Sequence, residues 1–553
     1  MATRLTPFSK LLLTVIIVAA IVLGGRWILN NTEVGNTVKE QVQQDGGFSD
    51  NDRPANNDRN SSNNGGDAPS DVINIGVVTW GGYAGGQYFN EGFKANKNSR
   101  FYKDYGFGVD FKVLDDFVAS REAFRRGDVD LLWATIDAFP TEAGELADYQ
   151  PQVIFQADWS RGGDAIVARR GLNSVADLRG KKIAVAELSP SHSFLLWLLE
   201  AGGMTLKDVT IVAQASAIDA AEAFKAQQVD AAVVWSPDDE ACLAAVAGSR
   251  VLESTKQASN IIADVFIAKK AWVEANQEKA RQLYEGWMKG AAEINTNESN
   301  KRKAARILAE NFEGVDEEWA FKAINNVRLA THGDNQNFFG MNNDYTGVTG
   351  DRLYSRMSQT YQSLGYIEGR TPTWREIANS SLVRSTNMTG AANAAEPSKS
   401  FTEVTKEEGD KKETIATKRV SINFRSGEFV LDENAKYIID KEFVEIARAF
   451  ANARIRIEGN TDNVGNKASN IALSQKRADA VRDYLVSEHG MPRNRFIVIG
   501  NGPDNPVADN GTEAGKAKNR RTDFEAGEGI GVGKENKTGG ISETGKCRPF
   551  VLG

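Results

Sequence analysis

A dense group of polar side chains surrounds one turn near the carboxyl end of the chain, between Ile457 and Val486. The group comprises Asn460, Thr461, Asp462, Asn463, Asn470, Ser474 and Arg477. A strand-like run precedes the turn, and a long helical pattern follows it. In a helix of about 3.6 residues per turn, Asn470 and Arg477 lie on nearly one line, roughly 10 Å apart. Asp462 enters from the turn, so we expect an acid and a guanidinium on the rim of one packed face.

The elements around this rim suggest what the polar residues do. An apolar stripe beside it is expected to pack on the sheet and consists of Ile471, Ala478, Val481 and Leu485. A ligand with both an amine and a carboxylate would suit Asp462 and Arg477, because a guanidinium can bind a carboxylate through two hydrogen bonds. The alternative is that Asp462 and Arg477 pair only with each other to hold the turn, a contact worth ~0–1 kcal/mol at a surface.

A second group of candidates follows short apolar runs in the larger, amino-terminal part of the chain. Two stretches, "AFRRGDVDLLWAT" and "AFKAQQVDAAVVWSP", repeat one pattern of a helix, a polar turn, Val-Asp and a short apolar strand. In open α/β sheets, ligands bind beyond the carboxyl ends of the strands. This rule selects candidate solute-binding residues: Trp80, Gly81, Gly82, Asp137, Ser189, Ser191, His192, Trp235, Pro237, Asp238 and Asp264.

These candidates point to solutes of different charge. The helix start at Ser191 favours an oxyanion, whereas the aspartates and tryptophans favour a cationic or aromatic solute. We expect a small organic solute or an oxyanion. Structural roles compete with binding at each position: the tryptophans suit a core, the serines and two of the aspartates suit helix caps, and His192 suits packing.

Composition excludes several classes of function. The chain has 553 residues, 41% hydrophobic and 25% charged, which suits about two to four globular domains. Its net charge of -8 argues against a nucleic-acid binder. With two cysteines, Cys242 and Cys547, and three histidines, neither a disulfide framework nor a metal site is expected. No nucleophile with a base and no phosphate-binding glycine loop is recognisable, so we expect neither enzyme activity nor a cofactor.

The amino-terminal stretch predicts a membrane anchor. The run from Leu11 to Gly25 is uncharged, and its continuation to Leu29 gives about 19 residues, enough to cross a bilayer. Arg4 and Lys10 precede it, which keeps the amino terminus cytoplasmic and sends the rest outward. The alternative is a cleaved signal peptide, which a missing A-x-A site disfavours. We therefore expect a single-pass protein of the bacterial inner membrane with most of the chain in the periplasm.

The carboxyl-terminal segment resembles the OmpA-like peptidoglycan-binding domain over about 418–525. The resemblance rests on "INFRSGEFVLDENA", "IEGNTDNVG", "NIALSQKRADAVRDYL", "PVADNGTEAG" and "NRR", in that order. It implies that Asp462 binds the amine and Arg477 the carboxylate of diaminopimelate in a peptidoglycan stem peptide. The other pocket residues that it implies are Asn460, Thr461, Asn470, Arg520 and Arg521. Two features depart from the family: Asn460 stands where histidine is usual, and the short polar final strand, "RRTDFEAGEG", is expected to weaken the sheet edge.

The larger part resembles the periplasmic solute-binding proteins of ABC importers, in particular the nitrate, sulfonate, taurine and thiamine-precursor group. The resembling segments are "INIGVVTWGGYAGG", "RRGDVDLLWAT", "SVADLRGKKIAV", "DAAEAFKAQQVDAAVVWSPDDE" and "IIADVFIAKKAW". The resemblance implies a type II, two-lobed α/β fold whose lobes close over a ligand, with the second lobe at roughly 165–262.

These patterns together predict six segments and a function. The segments are an anchor at 1–29, a disordered linker at 30–70, a two-lobed α/β domain at 71–380, a linker at 381–417, a βαβαβ OmpA-like α+β domain at 418–525 and a flexible tail at 526–553. We expect an anchored solute-binding protein, tethered to peptidoglycan, that serves transport or sensing with an ABC permease or an envelope complex. The alternative is an envelope scaffold or stress-response interaction protein with a degenerate solute cleft.

Overall fold

The computed structural model describes residues 69–397, 400–402, 414–420, 422, 424 and 428–527. The predicted anchor at 1–29, nearly all of the first linker and most of the predicted tail lie outside these residues. In the part of the chain that is described, no helix combines the length and the apolar character needed to cross a bilayer.

The described residues form fifteen strands and a larger set of helices. The strands are β1 Val72–Val77, β2 Gly108–Val113, β3 Leu131–Thr135, β4 Pro151–Ser160, β5 Asp164–Ala168, β6 Lys182–Ala186, β7 Thr210–Gln214, β8 Ala231–Trp235, β9 Arg250–Ser254, β10 Ala263–Lys269, β11 Val327–Leu329, β12 Thr414–Val420, β13 Arg454–Asn460, β14 Phe496–Gly502 and β15 Thr522–Gly527. The helices are Ala84–Phe89, Arg100–Tyr105, Phe117–Arg126, Pro140–Ala143, Pro190–Ala201, Ala217–Lys225, Asp238–Ala245, Lys270–Ala275, Gln277–Thr296, Glu298–Asn311, Glu317–Asn325, His332–Phe338, Gly350–Ser363, Trp374–Ile377, Ser381–Ser385, Glu433–Ile439, Glu445–Ala449, Lys467–His489 and Glu513–Asn519, with a π-helical turn at Asp440–Val444.

The larger part folds into two α/β lobes, as the resemblance implied. The first lobe holds a six-stranded sheet in the order β11-β4-β10-β3-β1-β2, and the second holds a five-stranded sheet in the order β7-β6-β8-β5-β9. The chain leaves the first lobe after β4 and returns at β10, so two crossing segments, 161–163 and 255–262, join the lobes. Parallel pairs such as β1 with β2 and β6 with β7 require helical crossovers, which cover the sheets.

The repeated Val-Asp pattern has a structural explanation. Oδ2 of Asp130 accepts the backbone N–H of Asn74 at 2.8 Å. In the second lobe, Oδ2 of Asp230 accepts the backbone N–H of Lys182 at 2.9 Å. Each aspartate therefore links the start of one strand to its parallel neighbour, β3 to β1 in the first lobe and β8 to β6 in the second. The same hydrogen bond thus stabilises the sheet of each lobe.

Residues 381–397, within the predicted second linker, pack on the first lobe. The helix Ser381–Ser385 buries Leu382 and Val383 in the same core as the six-stranded sheet. Arg161, in the first crossing segment, contacts Glu396 at 2.9 Å. This stretch therefore packs as part of the first lobe.

The carboxyl-terminal domain is a four-stranded sheet covered by helices, in the order β12-β15-β13-β14. The long helix Lys467–His489 makes the crossover between the parallel strands β13 and β14. If the two helices joined by the π-helical turn are counted as one, the described residues of the domain give one strand and one helix more than the predicted βαβαβ unit. The expectation of a weakened sheet edge was wrong, because β15 pairs with β12 on one side and with β13 on the other.

The apolar stripe of the long helix agrees with the expectation at three of its four positions. Ala478, Val481 and Leu485 are fully buried against the sheet with Ile457. Ile471 is 37% exposed, because it lies in the first turns of the helix, where it covers Gly502 at the end of β14.

The carboxyl-terminal domain also packs against the larger part, at the second crossing segment. The backbone N–H of Asn260 donates to the carbonyl of Ala449 at 3.0 Å, and Nδ2 of Asn452 donates to the carbonyl of Lys256 at 2.9 Å. Ile446 and Phe450 belong to the same buried cluster as the two lobes. One of the two connections between the lobes is therefore in contact with the carboxyl-terminal domain.

Candidate functional site

Four aspartates are buried where the two lobes meet. Asp158 lies on β4 and pairs across the sheet with Asp264 on β10, which also pairs with Thr135 at the end of β3. Asp164, the first residue of β5, belongs to the second lobe, and Asp137 follows β3. All four aspartates are less than 5% exposed. The ends of neighbouring strands therefore bring four carboxyl groups into one buried region.

Aromatic side chains from both lobes enclose this region. Nε1 of Trp80, in the first lobe, donates to Oδ2 of Asp158 at 2.9 Å. The rings of Trp80 and Trp235, which belongs to the second lobe, have centroids 6.1 Å apart. A Cβ at Gly82 would lie 1.2 Å from the same Asp158 oxygen, and a Cβ at Gly163 would lie 2.1 Å from the Trp80 ring. Both glycines are therefore required for the carboxylate and the indole to approach the backbone.

Little open space remains between the lobes in this conformation. The cavity there has a volume of about 20 Å³ and is lined by Trp80, Tyr83, Trp133, Asp164, Trp235 and Asp264, among others. This volume suits one water molecule and no organic solute. An organic solute would therefore fit between the lobes only in a more open conformation.

Burial shifts the protonation of the aspartates. Loss of hydration raises the pKa of Asp137, Asp158 and Asp164 to about 7 each. The pKa of Asp264 lies well above its ordinary value, mainly through burial and secondarily through the charge of Asp158. Near neutral pH the carboxyl groups of Asp137, Asp158 and Asp164 change charge easily, and a positive charge placed among the four aspartates would favour their ionised forms.

Some buried carboxylate oxygens of the four aspartates lack a hydrogen-bond partner among the described residues. Among the described residues, no partner reaches either carboxylate oxygen of Asp137 or Oδ1 of Asp164 with hydrogen-bond geometry. Ser193 lies close enough to Asp137 to lower its pKa, but its hydroxyl is 2.9 Å from that of Tyr361. The Trp235 indole likewise lowers the pKa of Asp164, and its N–H lacks the geometry of a hydrogen bond.

The solute candidates selected by the strand-end rule fall into two groups. Trp80, Trp235 and Asp264 line the cavity, and Asp137 lies close enough to Asp264 to raise its pKa. Gly82 supports the Trp80–Asp158 contact described above. Gly81 has a packing role, because a Cβ there would lie 2.5 Å from the backbone of Ala323.

The other candidates lie apart from the cavity lining. Oγ of Ser189 donates to the carbonyl of Ala186 at 2.6 Å, and Ser191 is buried in the first turn of the helix Pro190–Ala201. The His192 ring packs against Tyr361 and Tyr366, and burial lowers its pKa to about 4, so it is neutral. Pro237 precedes the helix that Asp238 begins, and Asp238 interacts with Lys225 and Glu222 instead of the cavity.

The strand-end rule missed two of the four aspartates and two of the aromatic rings. Asp158 lies inside the strand "PQVIFQADWS", and Asp164 begins the next strand. Tyr83 and Trp133 line the cavity with them. The sequence did contain a signal for Asp158 and Asp164, namely an aspartate in a strand that should be buried. Aspartate is almost never fully buried in a strand unless a partner or a function requires it.

In the carboxyl-terminal domain, three of the predicted residues form one charged group. Oδ1 of Asp462 accepts the backbone N–H of Val464 at 3.0 Å, and Oδ2 accepts Nη1 of Arg520 at 2.6 Å. Nε of Arg477 donates to the carbonyl of Glu428 at 3.0 Å. Burial and Arg520 lower the pKa of Arg477 while Asp462 raises it, so the three charges lie within electrostatic range of one another.

Neighbouring polar residues fix the turn that carries Asp462. The backbone N–H of Thr461 donates to the carbonyl of Gly502 at 2.8 Å. Nδ2 of Asn470 donates to the carbonyl of Val464 at 2.9 Å, and Oγ of Ser474 accepts the backbone N–H of Gly502 at 2.9 Å. Thr461, Asn470 and Ser474 therefore tie the turn, the helix and the end of β14 together beneath the charged group.

Asn460 and Arg521 have internal partners. Arg521 makes a two-bond ion pair with Asp523, with Nε–Oδ1 3.0 Å and Nη2–Oδ2 2.8 Å, and both side chains are buried. Nδ2 of Asn460 lies 3.3 Å from Oδ2 of Asp523, and Oδ1 of Asn460 accepts from Asn501 at 3.2 Å. Asn460, which stands where histidine is usual in the family, therefore belongs to a buried hydrogen-bond network of the sheet.

Family comparison matches two separate parts of the chain. Residues 423–520 match the OmpA family, and residues 160–299 match the family described as NMT1/THI5 like. One relative is outer membrane porin F of Pseudomonas aeruginosa, 37% identical over 107 residues, which are 19% of this chain and 30% of the relative. Another is peptidoglycan-binding protein ArfA of Mycobacterium tuberculosis, 42% identical over 90 residues, which are 16% of this chain and 27% of the relative.

The two relatives are thus matched over less than a third of their own length. Among solved structures, the periplasmic aliphatic sulphonate binding protein SsuA from Escherichia coli aligns with a TM-score of 0.44 and 18% identity, covering 55% of this chain and 96% of that protein. The chain is therefore a fusion of an NMT1/THI5-like segment with a carboxyl-terminal OmpA-family segment.

Proposed function

We propose that this protein binds a small solute in the bacterial periplasm while its OmpA-like domain holds it to peptidoglycan. The observation that carries the proposal is the charged group of Asp462, Arg477 and Arg520 within the OmpA-family segment. An acid beside two guanidinium groups can bind an amine and a carboxylate of one ligand, and diaminopimelate offers both. The name of the relative ArfA, a peptidoglycan-binding protein, supports this assignment.

The distances suggest how the ligand would be held. Arg520 already pairs with Asp462, and its side chain is 43% exposed, so a ligand amine could replace it at low cost. The displaced guanidinium would then be available to a ligand carboxylate together with Arg477. Arg477 itself is held by the carbonyl of Glu428 and by the ring of Phe424, 4.9 Å away.

Sedimentation with purified peptidoglycan tests this part of the proposal. The unsubstituted protein should pellet with the sacculus, and Asp462→Ala and Arg477→Ala should remain in the supernatant. Glu488→Ala is the matched control, because it removes an exposed acid from the far end of the same long helix and should pellet normally. Equal pelleting of all four proteins would refute the wall-binding assignment.

The solute-binding part rests on the cleft between the lobes, where strand ends, buried acids and indoles converge. The same proposal includes a membrane anchor at 1–29, which would hold the receptor. It also includes a partner permease or envelope complex, which would receive the solute. Thermal melting against a panel of anions, amines and pyrimidines is the test, because a ligand that binds only the folded state raises the midpoint.

An envelope scaffold is the second candidate, and one observation favours it. The cleft is occupied by the protein's own side chains, with Trp80 against Trp235 and about 20 Å³ of space left. A scaffold needs no opening of the lobes, whereas a receptor does. No change of the melting midpoint with any member of the panel would select the scaffold, and a reproducible increase would select the receptor.

A further inference from the structure

The cleft between the lobes concentrates acidic groups. Asp137, Asp158 and Asp264 come from the first lobe and Asp164 from the second, and each is nearly or completely buried. Their ionised forms repel one another, as the increase of the Asp264 pKa by Asp158 illustrates. Closure of the lobes therefore brings like charges together.

Nearby basic groups do not neutralise these acids. Arg121 and Arg161 lie close enough to affect the titration of the cleft. Arg121 pairs with Glu142, with Nη2–Oε1 2.8 Å, and Arg161 pairs with Glu396, with Nη2–Oε2 2.9 Å. Each of these arginines thus pairs with a glutamate, while Nε and Nη1 of Arg161 lack hydrogen-bond partners among the described residues and its charge lowers the pKa of Asp158. His192 is neutral because its pKa is lowered to about 4. The aspartates therefore exceed the positive charge that the described residues supply.

Three residues that line the same small cavity carry polar atoms without a hydrogen-bond partner among the described residues. Asp164 is 2% exposed, lines the cavity and leaves Oδ1 without a hydrogen-bond partner among the described residues. The indole N–H groups of Trp133 and Trp235, which also line the cavity, are unsatisfied in the same sense. Buried polar groups normally find partners. A ligand with a positive charge and a hydrogen-bond acceptor would satisfy both kinds of group.

The indole rings supply a surface suited to a cation. Trp80 belongs to the first lobe and Trp235 to the second, and their planes are inclined by 59° with centroids 6.1 Å apart. Separation of the lobes would open a gap between two aromatic faces. Faces of tryptophan attract cations, above all where water is excluded.

The amino-terminal turn of the helix Pro190–Ala201 gives little support to an oxyanion as the ligand of this cleft. Pro190 lines the cavity and has no backbone N–H to donate. The backbone N–H groups of His192 and Ser193 both donate to the carbonyl of Ser189, at 3.0 and 3.1 Å. The first turn therefore offers few free donors to an anion, which would also be repelled by the aspartates.

We propose that the solute is an organic cation, an amine or a quaternary ammonium carrying a hydroxyl or another acceptor, bound between Trp80 and Trp235 with its charge among Asp158, Asp164 and Asp264. This inference rests on the proposed solute-binding function and specifies the chemical class of its ligand. The ligand's acceptor faces the indole N–H groups, and its positive charge offsets the repulsion that opposes lobe closure.

Binding of such a cation should depend on pH. Asp158 and Asp164, whose pKa burial raises to about 7, and Asp264, whose pKa lies well above its ordinary value, must lose protons to pair with the ligand. Asp137, whose pKa is also raised to about 7, lies close to Asp264, and Tyr83, with its raised pKa, stays neutral. Affinity should rise between pH 6 and pH 8, by up to about tenfold per pH unit for each proton released. An anionic ligand would show the opposite trend.

The test uses the purified full chain with choline, ethanolamine, benzylamine and methanesulfonate as probes, and titration calorimetry at pH 6 and pH 8. The matched ligand control for choline is its uncharged carbon analogue, in which a tert-butyl group replaces the trimethylammonium group. At least one cation should bind, the uncharged analogue should bind at least tenfold more weakly than choline if choline binds, and affinity should increase with pH.

Two isosteric variants connect the result to the cleft. Asp164→Asn and Asp264→Asn should each weaken cation binding by more than tenfold and should remain folded, because neutral carboxyl groups already suit these buried positions. The melting midpoint without ligand checks the folding of both variants. Binding of methanesulfonate alone would overturn the cation assignment. Cation binding unaffected by pH and by both variants would overturn the placement of the cation among these aspartates. Both outcomes leave the solute-binding proposal standing. Failure of every probe here, together with failure of every anion, amine and pyrimidine of the thermal-melting panel, would overturn both.

Discussion

Arg520 and Arg521 are neighbours in sequence, and the same substitution should affect them in different ways. Arg521 makes a two-bond ion pair with Asp523 and donates Nη1 to the carbonyl of Asn505 at 3.0 Å. Its side chain is 6% exposed and that of Asp523 is 7% exposed. Arg520 makes one contact with Asp462 and is 43% exposed. Arg521→Ala should therefore unfold the sheet locally, whereas Arg520→Ala should leave it intact.

The magnitudes follow from burial. Removal of Arg521 leaves the carboxylate of Asp523 without its partner in a buried site, where such losses cost ~3–5 kcal/mol. Burial already raises the pKa of Asp523, so the unpaired acid should take up a proton and recover part of that cost. The exposed Arg520–Asp462 pair is worth ~0–1 kcal/mol because solvent screens it. We expect a difference of at least about 2 kcal/mol between the two variants.

Hydrogen exchange followed by mass spectrometry is the suitable assay. All ten tryptophans lie before residue 375, so intrinsic tryptophan fluorescence does not report on this domain. Amides of β13 and β15 should exchange faster in Arg521→Ala and at the normal rate in Arg520→Ala, which should instead pellet poorly with peptidoglycan. The double variant Arg521→Ala/Asp523→Ala should recover part of the lost protection. Normal exchange in Arg521→Ala together with loss of pelleting would refute this assignment and make Arg521 a ligand residue.

Three further substitutions examine the cleft and its junction with the OmpA-like domain. Gly82→Ala would place a Cβ 1.2 Å from Oδ2 of Asp158, so the carboxylate must move, and we expect a loss of ~1–3 kcal/mol in a chemical denaturation curve. The folded-state pKa of Asp164 is raised to about 7 from 3.8, so its contribution to stability is largest below the unfolded value and is lost as pH rises through 7. The melting midpoint should therefore fall between pH 5 and pH 8 less steeply in Asp164→Asn than in the unsubstituted protein, and equal slopes would contradict this pKa assignment. Asn452→Ala removes the hydrogen bond to the carbonyl of Lys256, a loss of ~0.5–1.5 kcal/mol, and should increase hydrogen exchange in the crossing segment 255–262; unchanged exchange there would show that the contact does not restrain it.

Short-range patterns predicted the fold well, since they depend on neighbours in the sequence. Alternation of strands and helices gave the α/β class, and the stripe of Ala478, Val481 and Leu485 gave the buried face of the long helix. The position of β15 was not predictable in this way. Its polar sequence indicated an edge, but the buried ion pair of Arg521 and Asp523 lets it lie between two other strands.

The candidate site was predictable only in part, for a similar reason. The strand-end rule found Trp80, Trp235 and Asp264, which follow local patterns, and it missed Asp164, whose importance depends on the approach of the second lobe. Asp238 follows the same rule and still interacts with Lys225. Which end of a strand faces the other lobe is a tertiary property, and a local pattern does not contain it.

The electrostatics of the cleft and the contact at the crossing segment bear on the same motion. Ionised Asp164 and Asp264 repel each other most when the lobes are closed, so a cation that neutralises them would favour the closed form. The free energy of this shift equals the difference between the binding free energies of the cation for the closed and the open form. Movement of the lobes must be accommodated by the crossing segments, and one of them bonds to Ala449 and Asn452 of the OmpA-like domain. Any difference in these contacts between open and closed lobes would couple solute binding to the wall-binding domain with equal strength in both directions.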